Sequence, residues 1–197
     1  MTCVCHERNG DRASDGRIEL IVGPMFAFKS SELQRRARRH ALAGRRVVIL
    51  KHERDTRYDA QFGGDAAATH DGLSSPALRV RALADVDADA WDVLCIDECH
   101  FYDALVEHVL AWARAGKTVI AAGLCADFAG CACGGIADVL AHADSVLKLA
   151  AVCARCGRDA VYTRRITPVP ADGDLVGGAR DYEPNCRRCW ATAADPK

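Results

Sequence analysis

The sequence lacks three features that are typical of proteins bound to membranes or to nucleic acids. No apolar run approaches the roughly 20 residues that a transmembrane helix needs. The first twenty residues carry charges throughout, without the apolar core of a signal peptide. The chain also has no excess of basic residues, since its 26 lysines and arginines are balanced by 27 aspartates and glutamates. We therefore expect a cytoplasmic protein that binds neither a membrane nor nucleic acid.

Internal repeats and low-complexity tracts are absent as well, which disfavours repeat and disordered architectures. Of the 197 residues, 50% are hydrophobic and 27% are charged, as in an ordinary soluble globular protein. This length accommodates one domain of about 150 residues with a small appendage, but not two large domains.

The cysteine content is the one unusual feature of the composition. The eleven cysteines are odd in number, unevenly spread and not accompanied by a secretion signal. A disulfide framework is therefore a poor interpretation, and metal binding or reduced thiols are better ones.

Apolar runs alternate with segments of helical character between residues 18 and 150. Continuous apolar runs are typical of strands in a sheet that is covered on both faces, and glycines follow the first two helical segments as stop signals. The predicted strands are 18–22, 47–50, 93–96, 118–122 and 145–150, and the predicted helices are 30–43, 103–115 and 135–143. Residues 52–75 are predicted to be a loop. This alternation predicts an α/β fold with a mostly parallel sheet and helices on both faces.

The last 47 residues have too little apolar density for a core of their own, but they carry two C-x-x-C pairs. Each pair can point two thiolates at one ion, so the two pairs together predict a closed, structural Cys₄ zinc site. Its ligands are Cys153, Cys156, Cys186 and Cys189. The alternatives are two separate reduced turns, a redox pair, or a zinc ribbon that binds nucleic acid, which the balanced charge disfavours.

The segment Gly23–Ser30 lies between the first predicted strand and the first predicted helix. A phosphate-binding loop has the pattern G-x-x-x-x-G-K-[ST], in which backbone amides and the lysine bind phosphates and the hydroxyl binds Mg²⁺. The sequence matches at Gly23, Lys29 and Ser30, whereas Phe28 replaces the second glycine. The alternative is an ordinary strand-to-helix turn.

Two carboxylates, Asp97 and Glu98, follow the apolar strand 93–96. This is the form of a Walker B segment, whose aspartate orients Mg²⁺. Glu98 would then lie beside the metal, where it could act as a general base. The alternative is that the two acids simply close the strand.

Together these segments resemble the type II thymidine kinases, the zinc-containing cytosolic family found in animals, bacteria and large DNA viruses. The resemblance extends from about Arg17 to Trp190. It rests on GPMFAFKS (23–30), ELQRRARR (32–39), DTRY (55–58), THD (69–71), DECHFY (97–102), AGKTVI (115–120), LKLAAVCARC (147–156), AVYTRR (160–165), VGGARDY (176–182) and CRRC (186–189).

The resemblance implies transfer of the γ-phosphoryl group of ATP to the 5′-hydroxyl of thymidine, with Mg²⁺. It implies that Glu98 is the base and that Arg57 stabilises charge on the transferred group. The residues implied to bind ATP and Mg²⁺ are Gly23, Pro24, Met25, Phe26, Ala27, Phe28, Lys29, Ser30 and Asp97.

The resemblance also implies that thymine lies under the long loop between the two C-x-x-C pairs, and that the zinc holds both ends of this loop. The residues implied to bind the nucleoside are Met25, Asp55, Arg57, Phe101, Leu124, Phe128, Thr163, Leu175, Val176, Gly177 and Tyr182. A homotetramer is implied as well. The expected domain organisation is a tail over 1–16, a P-loop nucleotide-binding domain over 17–150, a zinc-stapled lasso domain over 151–191 and a tail over 192–197.

Three segments depart from the family pattern. Phe28 replaces the loop glycine, His100 stands where many members have glutamine, and the segment 125–133 has a cysteine, Cys133, in place of a second aromatic residue. A second hypothesis is therefore a catalytically impaired relative that binds nucleosides or partners without efficient turnover.

Overall fold

The computed structural model describes residues 15–56, 66–68, 74–168 and 177–192. Its strands are β1 (Arg17–Gly23), β2 (Val47–His52), β3 (Ala66–Ala68), β4 (Ser74–Pro76), β5 (Leu78–Val80), β6 (Val93–Ile96), β7 (Thr118–Leu124), β8 (Ser145–Lys148), β9 (Ala151–Val152), β10 (Asp159–Ala160), β11 (Tyr162–Arg165) and β12 (Tyr182–Asn185). Its α-helices are α1 (Lys29–Leu42), α2 (Leu105–Arg114), α3 (Ile136–Leu140) and α4 (Arg187–Ala191).

Six of these strands form one sheet in the order β5-β2-β6-β7-β1-β8, and every neighbouring pair is parallel. The register pairs Gly23 at the end of β1 with Leu124 at the end of β7. The segments that follow β1, β6 and β7 therefore leave the sheet at the same edge, which is where parallel α/β sheets bind their ligands. The predicted α/β fold with a mostly parallel sheet is confirmed.

Helices cover both faces of this sheet, as predicted. On one face, Leu33 and Ala37 of α1 pack in a cluster with Ile21 of β1 and Ile49 of β2. On the other face, the buried side of α2 packs in a larger cluster with residues such as Leu20, the neighbour of Ile21. Adjacent residues of β1 thus enter opposite cores, as expected for a strand buried on both sides. No helix in the described ranges is long and apolar enough to cross a membrane.

The prediction of a loop over residues 52–75 was wrong in part. The strands β3 and β4 form a small antiparallel hairpin, and Gln34 of α1 fixes it by donating to the Ala67 carbonyl (2.9 Å) and accepting from the Ser75 hydroxyl (3.0 Å). The edge strand β5 was missed as well. Three-residue strands without an apolar run carry too little periodicity to be predicted from the sequence.

The part of the chain after β8 folds as two antiparallel hairpins, β9–β10 and β11–β12, followed by the short helix α4. Its buried apolar cluster consists of small side chains: Ala27 of the loop after β1, with Ala151, Cys153, Ala160 and Cys186. Since so small a core buries little apolar surface, this part of the chain depends on other interactions for its stability.

Candidate active site

The loop between β1 and α1 takes a conformation that its sequence does not favour. A Cβ at Gly23 would lie 2.6 Å from the Leu149 carbonyl oxygen, so this position requires glycine. Phe26 (φ 67°) and Phe28 (φ 59°) both occupy the left-handed region. That region costs a non-glycine residue about 1–2 kcal/mol. Backbone strain of this kind is concentrated at functional sites.

Phe28 is the residue that replaces the second glycine of the phosphate-loop pattern. It adopts the left-handed conformation that glycine favours, immediately before α1, and its carbonyl accepts from the Glu32 N–H (3.0 Å) as the first helical hydrogen bond. The residue is 59% exposed. The substitution therefore leaves the start of α1 intact, and nothing in this geometry favours the hypothesis of an impaired relative.

Lys29, Ser30 and Asp97 come together at the start of α1. The Ser30 hydroxyl donates to Asp97 Oδ1 (3.0 Å), and the buried Lys29 ammonium donates to the Pro24 carbonyl (2.8 Å). Two adjacent oxygen ligands of an octahedral Mg²⁺ lie about 2.9 Å apart, given Mg–O distances of 2.0–2.1 Å. The spacing of the Ser30 and Asp97 oxygens fits that requirement.

Glu98 follows Asp97 and is buried, with 7% of its surface exposed. Its backbone is also left-handed (φ 45°), and its N–H donates to Asp97 Oδ1 (3.0 Å). His100 Nδ1 lies 3.6 Å from Glu98 Oε2 and accepts from the Leu124 N–H (3.3 Å). A ring that accepts at Nδ1 carries its proton on Nε2, so the Leu124 N–H orients the imidazole beside the Glu98 carboxylate.

The hairpin β11–β12 closes over this edge of the sheet through Thr163. The hydroxyl of Thr163 accepts from the Met25 N–H (2.9 Å), and both residues are buried. Thr163 and Arg165 alternate with exposed or half-buried neighbours along β11, so their side chains lie on the same face of the hairpin. This face is directed toward the loop after β1.

Arg165 is the site residue that sequence reasoning missed. It is 3% exposed, and its three guanidinium nitrogens have no hydrogen-bond partner within the described part of the chain. Its guanidinium carbon lies 5.3 Å from the ring centre of Phe128 and 5.9 Å from that of Tyr182. These cation–π contacts link two residues that are implied to bind the nucleoside. The signal that the sequence offered was its place in the segment AVYTRR (160–165), which carries part of the family resemblance.

The other predicted nucleoside residues are distributed as follows. Phe101 packs on His100, with ring centres 4.4 Å apart, and so lies beside Glu98. Asp55 is buried after β2. Gly177 precedes the turn whose Gly178 N–H donates to the Asp181 carboxylate (3.1 Å). The predicted residues Arg57, Leu175 and Val176 lie outside the described residues.

The four predicted metal ligands form one cluster. The sulfurs of Cys153, Cys156, Cys186 and Cys189 all lie within 4.8 Å of one another, and those of Cys156 and Cys186 are 3.6 Å apart. Tetrahedral Zn²⁺ with Zn–S bonds of 2.3 Å spaces its sulfurs about 3.8 Å apart. A backbone hydrogen bond from Arg158 lowers the pKa of Cys156 to about 6, whereas hydrogen bonds from Cys156 and Cys186 raise the pKa of Cys189. The cluster can therefore hold a metal ion.

Comparison with known proteins agrees with this geometry. The family model described as thymidine kinase matches residues 16–190. The cytosolic thymidine kinases of Cricetulus griseus, Homo sapiens and Gallus gallus are each 41% identical to this chain over 177 residues. The matched region covers 89% of this chain and 73%, 73% and 77% of those proteins, respectively. The chain therefore belongs to the thymidine kinase family.

Proposed function

We propose that this protein transfers the γ-phosphoryl group of ATP to the 5′-hydroxyl of thymidine, giving thymidine monophosphate. The observation that carries the proposal is the junction of Ser30, Lys29 and Asp97 at the carboxyl edge of the parallel sheet, in a chain of the thymidine kinase family. Phosphoryl transfer requires little covalent participation by the protein, so positioning and electrostatics are expected to dominate.

The loop Gly23–Ser30 is the proposed site for the ATP phosphates. It ends at the start of a 14-residue helix, where the backbone N–H groups and the helix dipole favour anions. Lys29 supplies a buried positive charge at the same place. Ser30 and Asp97 would hold Mg²⁺, which neutralises charge on the phosphates when it is bound.

Glu98 is the proposed general base. Its carboxylate is buried, with Oε2 3.6 Å from His100 Nδ1. It follows Asp97 directly, so it lies next to the proposed metal ligand and can accept the proton of the 5′-hydroxyl. Arg57, which lies outside the described residues, is proposed to stabilise charge on the transferred group.

The nucleoside is proposed to lie between the hairpin β11–β12 and the loops after β1 and β7. The Met25–Thr163 hydrogen bond and the Phe128–Arg165–Tyr182 contacts support this placement, because they join these three segments to one another. Further proposed contacts are Asp55, Phe101, Leu124, Leu175, Val176 and Gly177.

The cysteine cluster is proposed to bind a structural Zn²⁺, because four thiolates leave no open coordination position. The zinc would join the two hairpins and thereby fix both ends of the intervening segment over the nucleoside. We propose the division into a nucleotide-binding domain over 17–150 and a lasso domain over 151–191 on the same basis. Assembly as a homotetramer and a cytosolic location remain predictions; the matched relatives are named as cytosolic proteins.

The test is a thymidine phosphorylation assay with ATP and Mg²⁺ on zinc-loaded protein, with deoxycytidine and deoxyguanosine as control substrates. We expect selective formation of thymidine monophosphate. A Glu98→Gln variant should lose about 10²–10⁴-fold in kcat, whereas Glu107→Gln, a matched change at an exposed position on α2, should not. Full kcat in Glu98→Gln would refute the assignment of the base. Absence of turnover by the folded, zinc-loaded wild type would refute the proposed activity.

A further inference from the structure

The segment after β7 forms a short antiparallel ribbon whose turn carries Phe128, and whose cysteines no step of the proposed reaction uses. Ala126 and Ala132 form an antiparallel bridge, and the Asp127 N–H donates to the Cys131 carbonyl (2.8 Å). The chain reverses through a turn closed by Gly130, whose φ of 83° suits glycine. The Asp127 carboxylate stabilises this turn by accepting from the N–H groups of Ala129 (2.9 Å) and Cys131 (2.8 Å).

The register of this ribbon places two cysteines opposite each other. Because Ala126 pairs with Ala132, Cys125 faces Cys133, and Asp127 faces Cys131. Directly opposed residues of a hydrogen-bonded antiparallel pair have Cα atoms about 5.5 Å apart. A disulfide spans Cα separations of about 4.4–6.8 Å. Both thiols are free and partly accessible, and the Cα separation expected from this register falls within the range that a disulfide spans.

We propose that Cys125 and Cys133 form a dithiol modification site that a small disulfide, of the glutathione disulfide class, converts reversibly into an intramolecular disulfide. The thiolate of Cys125 attacks the small disulfide, which forms a mixed disulfide and releases one small thiol. The thiolate of Cys133 then attacks the Cys125 sulfur and releases the second small thiol. Two protein thiols are oxidised and one small disulfide is reduced to two thiols, so atoms and electrons balance.

The order of the two attacks follows from the environment of Cys133. Burial, together with the nearby charges of Asp127, Cys125 and Cys131, raises the pKa of Cys133 to about 11. A thiol that is rarely ionised is a slow first nucleophile, which suits Cys133 to the second, intramolecular step. Because the charges of Cys125 and Cys131 act on Cys133, all three thiols of the ribbon lie close together.

The remaining cysteines are less suited to this reaction. Cys131 is exposed, but it faces Asp127 and lies two residues from Cys133 on the same strand, about 6.6 Å away and near the upper limit for a disulfide. Cys95 and Cys99 are fully buried, and burial raises the pKa of each thiol well above its usual range. Cys153, Cys156, Cys186 and Cys189 belong to the proposed metal cluster.

Oxidation of Cys125 and Cys133 would affect the proposed nucleoside site. The ribbon begins next to Leu124, and its turn carries Phe128, which contacts Arg165. An S–S bond would fix the two strands of the ribbon to each other and restrict the turn that carries Phe128. Resting on the proposed function, we therefore expect oxidation to raise the KM for thymidine by roughly threefold or more, while the KM for ATP changes less.

The experiment uses zinc-loaded full chain in a Cys3→Ser/Cys5→Ser background, because those two cysteines lie outside the described residues. The protein is incubated with glutathione disulfide, alkylated, digested and analysed by mass spectrometry, before and after reduction with dithiothreitol. Four proteins are compared: the background itself, Cys125→Ser, Cys133→Ser and the matched control Cys131→Ser. We expect a mass loss of about 2 Da across the 125–133 peptide in the background protein and in Cys131→Ser, and no intramolecular disulfide in the other two.

Each outcome bears on the proposal separately from the kinase activity. A disulfide that requires Cys131, or a ribbon that stays fully reduced at a glutathione disulfide concentration that oxidises free cysteine, would overturn it. Disulfide formation with an unchanged KM for thymidine would keep the modification site and refute its coupling to the nucleoside site. Because the peptide measurement does not depend on turnover, it remains decisive even if the protein does not phosphorylate thymidine.

Discussion

The hydrogen bond between Met25 and Thr163 offers a quantitative test of how the two halves of the site are joined. Thr163→Val replaces the hydroxyl with a methyl group of similar shape and leaves the Met25 N–H buried without its acceptor. An unsatisfied buried donor costs about 1–3 kcal/mol. For a chain of this length each kcal/mol lowers Tm by about 2–4 °C, so a cost of about 2 kcal/mol lowers Tm by about 4–8 °C.

The assay is calorimetric unfolding of zinc-loaded protein, combined with steady-state kinetics. Thr163→Ser is the matched control, because it keeps the acceptor and loses only a methyl group, worth about 0.8 kcal/mol. We expect Thr163→Val to be the less stable variant and to raise the KM for thymidine more than the KM for ATP. A Thr163→Val protein as stable as the wild type, with Thr163→Ser less stable than both, would refute the reasoning, because the methyl group and not the hydroxyl would then stabilise the contact.

Four further predictions concern single features of the site and its surroundings. Phe28→Gly should raise Tm by about 1.5–3 °C, because relief of about 1–2 kcal/mol of left-handed strain exceeds the added backbone entropy of glycine, about 0.5–1 kcal/mol. A lower Tm would mean that contacts of the Phe28 ring outweigh the strain. Cys156→Ser should lose most of the zinc measured by elemental analysis, whereas the exposed Cys131→Ser should retain it; equal zinc contents would contradict the proposed ligand set. Arg165→Met keeps an aliphatic stem and removes the cation, so it should raise the KM for thymidine and leave the KM for ATP within about twofold. Equal changes in the two KM values would indicate a general loss of structure. Burial and then nearby arginines lower the pKa values of His40 and His52 below 6.5. Both groups therefore contribute fully to the stability of the fold above pH 6.5, and progressively less as the pH falls through their folded pKa values. Tm should decline below pH 6.5, and a decline of the same size in His52→Phe would exclude His52 as a contributor.

The sequence was sufficient to predict the large parallel sheet but not its small additions. The strands β1, β2, β6 and β7 each contain a run of apolar, mostly branched side chains, because both faces of the sheet are buried. The strand β5 and the hairpin β3–β4 have no such run. They are held instead by pairing with β2 and by the Gln34 side chain, both of which depend on residues distant in the sequence.

In the site, too, residues with a local sequence signal were predictable, and residues placed by distant parts of the chain were not. Lys29, Ser30 and Asp97 were predictable because each stands at the end of a recognisable strand or the start of a helix, and strand ends converge in a parallel sheet. Arg165 was not predictable, since its environment is created by aromatic rings from β12 and from the turn after β7. The opposition of Cys125 and Cys133 likewise depends on a backbone register that no periodicity in the sequence reveals.

The three non-glycine residues with positive φ in the described ranges, Phe26, Phe28 and Glu98, all lie at the candidate active site. At about 1–2 kcal/mol each, their strain is comparable to a large part of the 5–15 kcal/mol that separates a folded domain from its unfolded chain. Selection for thermal resistance alone would therefore replace these residues early in a laboratory lineage, and descendants that lost Glu98, the proposed base, would be expected to become poorer catalysts. Persistence of Glu98 in an evolving population would be a record of selection for turnover.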